Sequence, residues 1–190
     1  MKKIIIGVAG KKFSGKDVVS TYLCNKYDFV NLSFARALKE GLKSIFDFSD
    51  QQLNGSKKEE IDIRWNVSPR YVMQVFGTEI MREEINRFIP SIGNDFWIKR
   101  LLFDIEKINK NIVISDVRYL NEIKKIKELG GMIIYINRPS IILNEYNKHK
   151  SENNISEKDA DFVLLNNSSF DSLYKKIDEF MLKNQYYYCC

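Results

Sequence analysis

The chain has 190 residues, of which 44% are hydrophobic and 29% charged, and this fits one folded domain with a sizeable core. A net charge of +5 is too small to indicate a DNA-binding protein, although it suits small anionic substrates. No apolar run approaches the ~20 residues of a membrane span, and the three cysteines lack metal-binding spacing, so we expect a cytoplasmic protein.

Short apolar runs alternate with helical patterns along the chain. The first elements are a strand at 3–8, a helix at about 15–26, a strand at 29–34 and a helix at 35–46. An irregular stretch at 49–66 precedes helices at about 68–88 and 95–107. The second half gives a strand at 111–115, a helix at about 120–129, strands at 132–136 and 162–165, and a helix at 170–183.

This alternation predicts an α/β fold, in which a five-stranded parallel sheet carries helices on both faces. We interpret residues 1–190 as one domain. A mostly helical insertion at about 36–110 separates the second and third strands, and a polar, lid-like segment covers about 138–159. Neither an internal repeat nor a linker divides the chain.

A glycine-rich loop follows the first predicted strand. Residues 10–16 match G-x-x-x-x-G-K, and Asp17 stands where Ser or Thr is usual. Two glycines let the backbone approach a phosphate closely, and the lysine reaches the β- and γ-phosphates of a nucleotide. A plain strand-to-helix turn is the alternative. The predicted ATP-binding residues are Gly10, Lys11, Lys12, Phe13, Ser14, Gly15, Lys16, Asp17, Val18 and, after the fifth strand, Asn167.

Two carboxylates are candidates for Mg²⁺. Asp17 follows the loop lysine and helps to hold the cation, or else it complements the dipole of the helix. Asp116 ends the third apolar strand, where an acid orients Mg²⁺ beside a phosphate loop, or else it caps the next helix.

Two arginines are candidates for contacts with phosphate groups. Arg118 follows Asp116 closely, and it either clamps a phosphate or forms a surface ion pair. Arg138, after the fourth strand, is the candidate for stabilising the transferring phosphoryl group.

The insertion carries candidates for binding a phosphorylated acceptor. Arg36 lies in the first turn of its helix, where a cation opposes the helix dipole, so a bound anion would resolve the conflict. Lys39 lies on the same face. Polar side chains also recur every fourth residue along the 68–88 helix, and we call this row the polar ladder. It consists of Arg70, Gln74, Thr78 and Arg82, and it either binds the acceptor or is an ordinary exposed face.

Three aromatic residues either stack on a base or belong to the core. They are Trp65, Tyr71 and Trp97.

These motifs belong to a set that runs through the chain. Its members are residues 14–17, 32–39, 48–55, 64–70, 74–79, 95–97, 114–118 and 149–152. Together they resemble the deoxynucleoside monophosphate kinases of bacteriophages and large DNA viruses. The loop sequence Ser-Gly-Lys-Asp alone is less specific, because animal phosphomevalonate kinase has a similar one.

The resemblance implies a nucleoside-monophosphate-kinase-like three-layer fold. It implies an enzyme that transfers the γ-phosphoryl group of ATP, with Mg²⁺, to a deoxynucleoside 5′-monophosphate for DNA precursor synthesis, in the host cytoplasm if the source is viral. Similar phage enzymes are dimers, so a homodimer is expected, with no nucleic-acid or membrane partner. Relatives often carry Thr where this chain has Val18, which shifts the metal role to Asp17, Asp116 and water.

Two other functions fit the residues. One is a P-loop kinase for a different small phosphorylated acceptor, such as phosphomevalonate or dephospho-CoA. The other is a non-enzymatic nucleotide-binding regulator. The sequence assigns no role to His149 or to the tail at 186–190, and it does not select a base or show how strictly ribose is excluded.

Replacing the loop lysine tests whether the chain is a phosphotransferase. Lys16→Ala removes the charge that reaches the β- and γ-phosphates, so turnover should fall by orders of magnitude while the fold stays intact. Steady-state kinetics and circular dichroism of the purified variant measure the two effects. A near-normal rate in a folded variant would contradict the assignment.

Overall fold

A computed structural model describes residues 3–92, 95–140 and 154–185 of the chain. His149, the middle of the predicted lid-like segment and the tail at 186–190 lie outside the described residues. Among these residues the backbone forms two compact units, and the interpretation of residues 1–190 as one domain stays a prediction. The sheet unit comprises Met1–Ser33 and Ile105–Cys190, and the helical unit is Phe34–Asp104.

A five-stranded sheet forms the centre of the sheet unit. Its strands are β1 (Ile5–Gly10), β2 (Val30–Leu32), β3 (Ile112–Val117), β4 (Met132–Asn137) and β5 (Phe162–Leu165). The spatial order is β2-β3-β1-β4-β5, and every neighbouring pair is parallel. This confirms the predicted parallel α/β sheet. β3 runs two residues further than predicted, so Asp116 lies inside the strand rather than after it.

Helices cover both faces of this sheet. They are α1 (Lys16–Tyr27), α7 (Leu120–Glu128) and α8 (Phe170–Gln185). Ile6 and Val8 of β1 share a buried core with residues of α1 and α8. Gly7 faces the other way, because side chains alternate along a strand. A Cβ atom on Gly7 would meet Ile126 of α7, which places α7 on the opposite face.

Among its described residues, the helical unit has five α-helices, besides the 3₁₀ and π-helical segments given below. They are α2 (Ala35–Phe46), α3 (Asp50–Leu53), α4 (Pro69–Gln74), α5 (Ile85–Phe88) and α6 (Phe96–Glu106), the last of which ends in the sheet unit. Its core consists of Leu42, Phe48, Leu53, Val72 and Met73. None of the helices among the described residues is long and apolar enough to cross a membrane.

We expected the stretch at 49–66 to be irregular, but part of it is helical. The Ser49 side chain accepts the Gln52 backbone N–H, and the Gln52 side chain accepts the Ser49 backbone N–H, so this capping box starts α3. A 3₁₀ turn follows at Ser56–Lys58. Buried Asp62 then accepts hydrogen bonds from Gln52 and Arg64, and the Arg64 guanidinium holds the pKa of that carboxyl below its usual range.

The helix predicted at 68–88 changes character in its middle. Ser68 caps it and Pro69 is its first residue, as predicted. Between α4 and α5, however, Val75–Glu84 forms a π-helix. Apolar periodicity cannot distinguish this from an α-helix, because burial on one side needs only an approximate repeat.

One half-buried carboxylate joins α8 to α1. Asp178 accepts hydrogen bonds from the hydroxyl groups of Tyr22 (3.0 Å) and Tyr27 (2.7 Å) and from Lys26 Nζ (2.8 Å). Burial would raise the pKa of Asp178, but these hydrogen bonds outweigh burial and lower it. A carboxyl with a lowered folded pKa stabilises the fold above its unfolded pKa of about 4, and the contribution disappears as the pH falls through the folded pKa.

Asp178→Asn should therefore lower the free energy of unfolding at pH 7 by about 1 kcal/mol, since Lys26 is half exposed and the ion pair is partly screened. The difference between the variant and the wild type should shrink as the pH is lowered below about 4. Urea unfolding at a series of pH values measures it. A difference that stays constant over that range would contradict the assigned charge effect.

Candidate active site

The glycine-rich loop joins β1 to α1 at the carboxyl end of the central strand. Its backbone has positive φ at Gly10 (144°), Phe13 (65°) and Gly15 (106°). A Cβ atom on Gly10 would lie 2.7 Å from the carbonyl oxygen of Ile136, and one on Gly15 would lie 2.7 Å from Asn166 Nδ2. Only glycine fits at either end, so the loop exposes bare backbone there.

The same loop delivers the N-terminus of a twelve-residue helix. Gly15 is the N-cap of α1, and no described side chain caps this end. The first N–H groups of a helix have no partner inside it, and they attract anions together with the helix dipole. Asp17 lies exposed in the first turn, and Val18 packs against the core of the sheet unit.

Cations surround the loop. Lys16 Nζ donates to the carbonyl oxygens of Gly10 and Lys11, at 2.8 Å each. Lys12 Nζ lies 5.1 Å from the centre of the exposed Phe13 ring. Arg138, just beyond β4, donates from Nη1 to the carbonyl oxygen of Phe13 at 3.3 Å. The structure thus brings Lys16 and Arg138 together at the loop.

The end of β3 lies beside the start of this loop. Ala9 pairs with Val117 in the ladder between β1 and β3, so Asp116 and Arg118 flank the last residues of β1. Arg118 lines a small pocket together with Gly10, Lys11 and Tyr135. The backbone N–H of Arg118 donates to Glu122, a buried carboxylate that caps the start of α7. The strand register therefore places Arg118 next to the loop, although ligand binding by it stays a prediction.

Asn166, which we did not select from the sequence, holds the glycine-rich loop from the side of β5. Asn166, after β5, is only 8% exposed, and its Nδ2 donates to the carbonyl oxygen of Ser14 at 2.8 Å. Its own backbone N–H donates to Asn137 at the end of β4. We had chosen Asn167 as the nucleotide contact, but that side chain is exposed, and its role stays untested. The two asparagines are adjacent, and sequence alone does not show which one points inward.

Two carboxylates of the sheet unit are the predicted ligands of Mg²⁺. The described residues contain no group of three or more His, Cys, Asp or Glu side chains arranged to hold a metal ion. Mg²⁺ is usually held by one or two carboxylates together with substrate phosphates and water. Asp17 lies in the first turn of α1 and Asp116 near the end of β3, and Mg²⁺ binding by these two carboxylates stays a prediction.

In the helical unit, Arg36 has protein partners. Its guanidinium donates to Asp104 (2.5 Å) and to Glu40 (2.8 Å). Hydrogen bonding to Asp104 raises the pKa of Arg36; burial would raise the pKa of Asp104, but Arg36 and Arg100 lower it. These carboxylates also offset the unfavourable position of Arg36 at the start of the helix, and anion binding by Arg36 stays a prediction. Lys39, on the same helix, donates to Asn54 at 2.9 Å.

The polar ladder lies along the helix that includes the π segment. Thr78 is buried at 6% exposure, and Arg70, Gln74 and Arg82 are half-buried. Arg70 Nε lies 3.7 Å from a carboxylate oxygen of Glu59. By contrast, the apolar side chain of Ile80, two residues after Thr78, is 38% exposed. The polar ladder is thus not an ordinary solvated face.

The two tryptophans differ in exposure. Trp97 is 8% exposed, and its indole Nε1 donates to the carbonyl oxygen of Gly77 at 2.8 Å. Trp65 is 47% exposed, and its Nε1 donates to the carbonyl oxygen of Phe46 at 2.9 Å. Burial makes Trp97 a core residue of the helical unit, and base stacking by either ring stays a prediction.

A glycine-rich loop between the central strand and an uncapped helix, in a parallel sheet of order 2-3-1-4-5, defines the class of P-loop kinases. Dephospho-CoA kinase from Campylobacter jejuni superposes with a TM-score of 0.51 at 15% identity, covering 96% of this chain and 98% of that one. At that identity the likeness shows the fold alone.

Sequence relatives give the family. The family model described as deoxynucleotide monophosphate kinase matches residues 44–177. A protein of Acanthamoeba polyphaga mimivirus with that provisional name is 37% identical over 92% of this chain and 94% of its own length. The deoxynucleotide monophosphate kinase of Enterobacteria phage T4 is 26% identical over 62% of this chain, which spans 46% of the phage protein. The chain belongs to the deoxynucleotide monophosphate kinase family and is an ATP-dependent phosphotransferase.

Loss of the inward asparagine should weaken nucleotide binding. Asn166→Ala removes the hydrogen bond that holds the Ser14 carbonyl, so KM for ATP should rise about tenfold, with a smaller change in kcat. Ser168→Ala, an exposed change two residues later, is the matched control and should leave both constants unaltered. An unchanged KM in a folded Asn166→Ala protein would show that this contact does not shape the site.

Proposed function

We propose that this enzyme transfers the γ-phosphoryl group of ATP to a deoxynucleoside 5′-monophosphate, giving the diphosphate and ADP. The observation that carries the proposal is the loop of bare backbone between β1 and α1, with Lys16 and Arg138 beside it. Membership of the family, whose name states the acceptor, supports a deoxynucleotide as the second substrate. DNA precursor synthesis in the cytoplasm is the role that follows.

The donor phosphates would occupy the loop. The N–H groups of α1 and the loop would bind their oxygens, as helix N-termini bind anions. Lys16 would exchange two neutral carbonyl acceptors, those of Gly10 and Lys11, for charged phosphate oxygens, which form stronger hydrogen bonds with an ammonium group. Asn166 keeps the loop in place from the side of β5.

Charge stabilisation and positioning then account for the chemistry. Arg138 at the loop would stabilise the charge on the transferring group, and Arg118 at the end of β3 would hold a phosphate. Asp17 and Asp116 would hold Mg²⁺, which supplies charge neutralisation when bound. A phosphate monoester dianion is already a nucleophile, so no general base is required of the protein.

The helical unit would bind the acceptor. Arg70, Gln74, Thr78 and Arg82 offer two cations, an amide and a hydroxyl along one helix, which suits a phosphate, a sugar and a base edge. Arg36 contributes only where a phosphate competes with Asp104 and Glu40 for its guanidinium. Lys39, Trp65 and Trp97 remain candidates, and a homodimer remains a prediction.

A panel of acceptors tests the proposal. ADP release is coupled to a spectroscopic readout with ATP, Mg²⁺ and, in turn, dTMP, dGMP, dCMP, dAMP, dUMP and the ribose counterparts. We expect fast turnover with some of the deoxynucleotides and slower turnover with ribonucleotides. Folded protein that binds ATP but turns over none of these acceptors would contradict the proposal, and phosphomevalonate and dephospho-CoA would then be assayed.

A further inference from the structure

The π-helical segment has a geometric effect on the polar ladder. An α-helix has 3.6 residues per turn, so side chains four apart drift by about 40° in one direction at each step. A π-helix bonds residue i to i+5 and has more than four residues per turn, so the drift reverses. The change from α4 to Val75–Glu84 therefore brings Arg70, Gln74, Thr78 and Arg82 back towards one line instead of letting them wind around the helix.

One side chain outside this helix fixes a peptide group within the π segment. Trp97, in α6, donates its indole N–H to the carbonyl oxygen of Gly77 at 2.8 Å, and the indole is almost wholly buried. A carbonyl oxygen has two lone pairs, so Gly77 accepts this bond without giving up the helix. A Cβ atom on Gly77 would lie 2.9 Å from Leu38 of α2. The glycine therefore also lets α2 pack closely against the π segment.

The bond to Gly77 orients the next residue. A peptide unit is planar from the Cα atom of one residue to the Cα atom of the next, so the Gly77 carbonyl and the Thr78 Cα atom share one rigid plane. Thr78 is the most deeply buried member of the ladder, at 6% exposure. The indole of Trp97 thus fixes the orientation of the peptide unit that leads to the Thr78 Cα atom.

We propose that Trp97 is a positioning residue, which acts through the Gly77–Thr78 peptide to hold the Thr78 hydroxyl against the nucleoside part of the acceptor. The inference rests on the proposed function. In this role the indole N–H of Trp97 positions the backbone, whereas base stacking would use the face of the ring. Thr78 makes the contact with the nucleoside, through a polar atom of its sugar or its base.

Trp97→Phe separates the two roles of this ring. Phenylalanine keeps a buried aromatic ring but has no N–H donor, so KM for the deoxynucleotide should rise about five- to tenfold, as the loss of one buried hydrogen bond predicts. KM for ATP should stay the same, and kcat should change by less than about twofold. An unchanged KM for the deoxynucleotide would overturn the proposal.

A matched control lies in the same helix. Lys99 of α6 also donates to a backbone carbonyl, that of Ile92 at 2.7 Å, but not to the π segment. Lys99→Met should leave KM for the deoxynucleotide at the wild-type value. A rise equal to that of Trp97→Phe would show that loosening α6 in general, rather than the bond to Gly77, is responsible.

A double-mutant cycle tests the path through Thr78. Thr78→Val keeps the shape and removes the hydroxyl, so KM for the deoxynucleotide should rise, whereas Thr78→Ser should restore most of the affinity. In the Thr78→Val background, Trp97→Phe should have little further effect, because the group that it positions is gone. Fully additive effects would overturn the assigned path.

Hydrogen exchange measures the positioning step without substrate. Amides of Val75–Glu84 should exchange faster in Trp97→Phe than in the wild type or in Lys99→Met. Unchanged exchange would overturn the positioning role even if KM rose. By contrast, a wild-type enzyme that turns over no deoxynucleotide would overturn the proposed function, and the acceptor contact of Thr78 with it, whatever the exchange data show.

Discussion

The close approach of β1 to β4 at the carboxyl edge of the sheet is the constraint on which the site depends. Gly10 lies so near the carbonyl of Ile136 that no side chain fits there, and the loop that follows enters α1 at Lys16. The turn is held from the β5 side by Asn166. These packing requirements leave bare backbone beside the N-terminus of α1, an arrangement that suits a phosphate group.

The cations at the candidate sites of both units already donate hydrogen bonds to protein groups. Lys16 and Arg138 donate to carbonyl oxygens of the loop, and Arg36 donates to Asp104 and Glu40. A phosphate group must therefore compete with existing partners. Neutral carbonyls compete weakly with a charged oxygen, whereas carboxylates compete strongly, so the donor cations would rearrange more readily than Arg36.

Much of the sheet unit could be predicted from sequence, because buried parallel strands read as short continuous apolar runs and the phosphate loop needs glycine and lysine at fixed positions. α2 and β5 have the predicted bounds. The failures share a cause, which is that side chains find partners that lie far away in sequence. Asp104 pairs with Arg36 across 68 positions, and Asn166 reaches Ser14 across 152. The π segment was missed because apolar spacing does not distinguish a π-helix from an α-helix.

The central claim is that the γ-phosphoryl group of ATP passes directly to a deoxynucleoside monophosphate. The most direct measurement follows ³²P from [γ-³²P]ATP through a reaction with Mg²⁺ and an accepted deoxynucleotide, with the products separated by chromatography. The account predicts that the label appears as the β-phosphate of the deoxynucleoside diphosphate, in step with ADP. Label released only as inorganic phosphate, or retained in ATP by folded and nucleotide-bound protein, would contradict it.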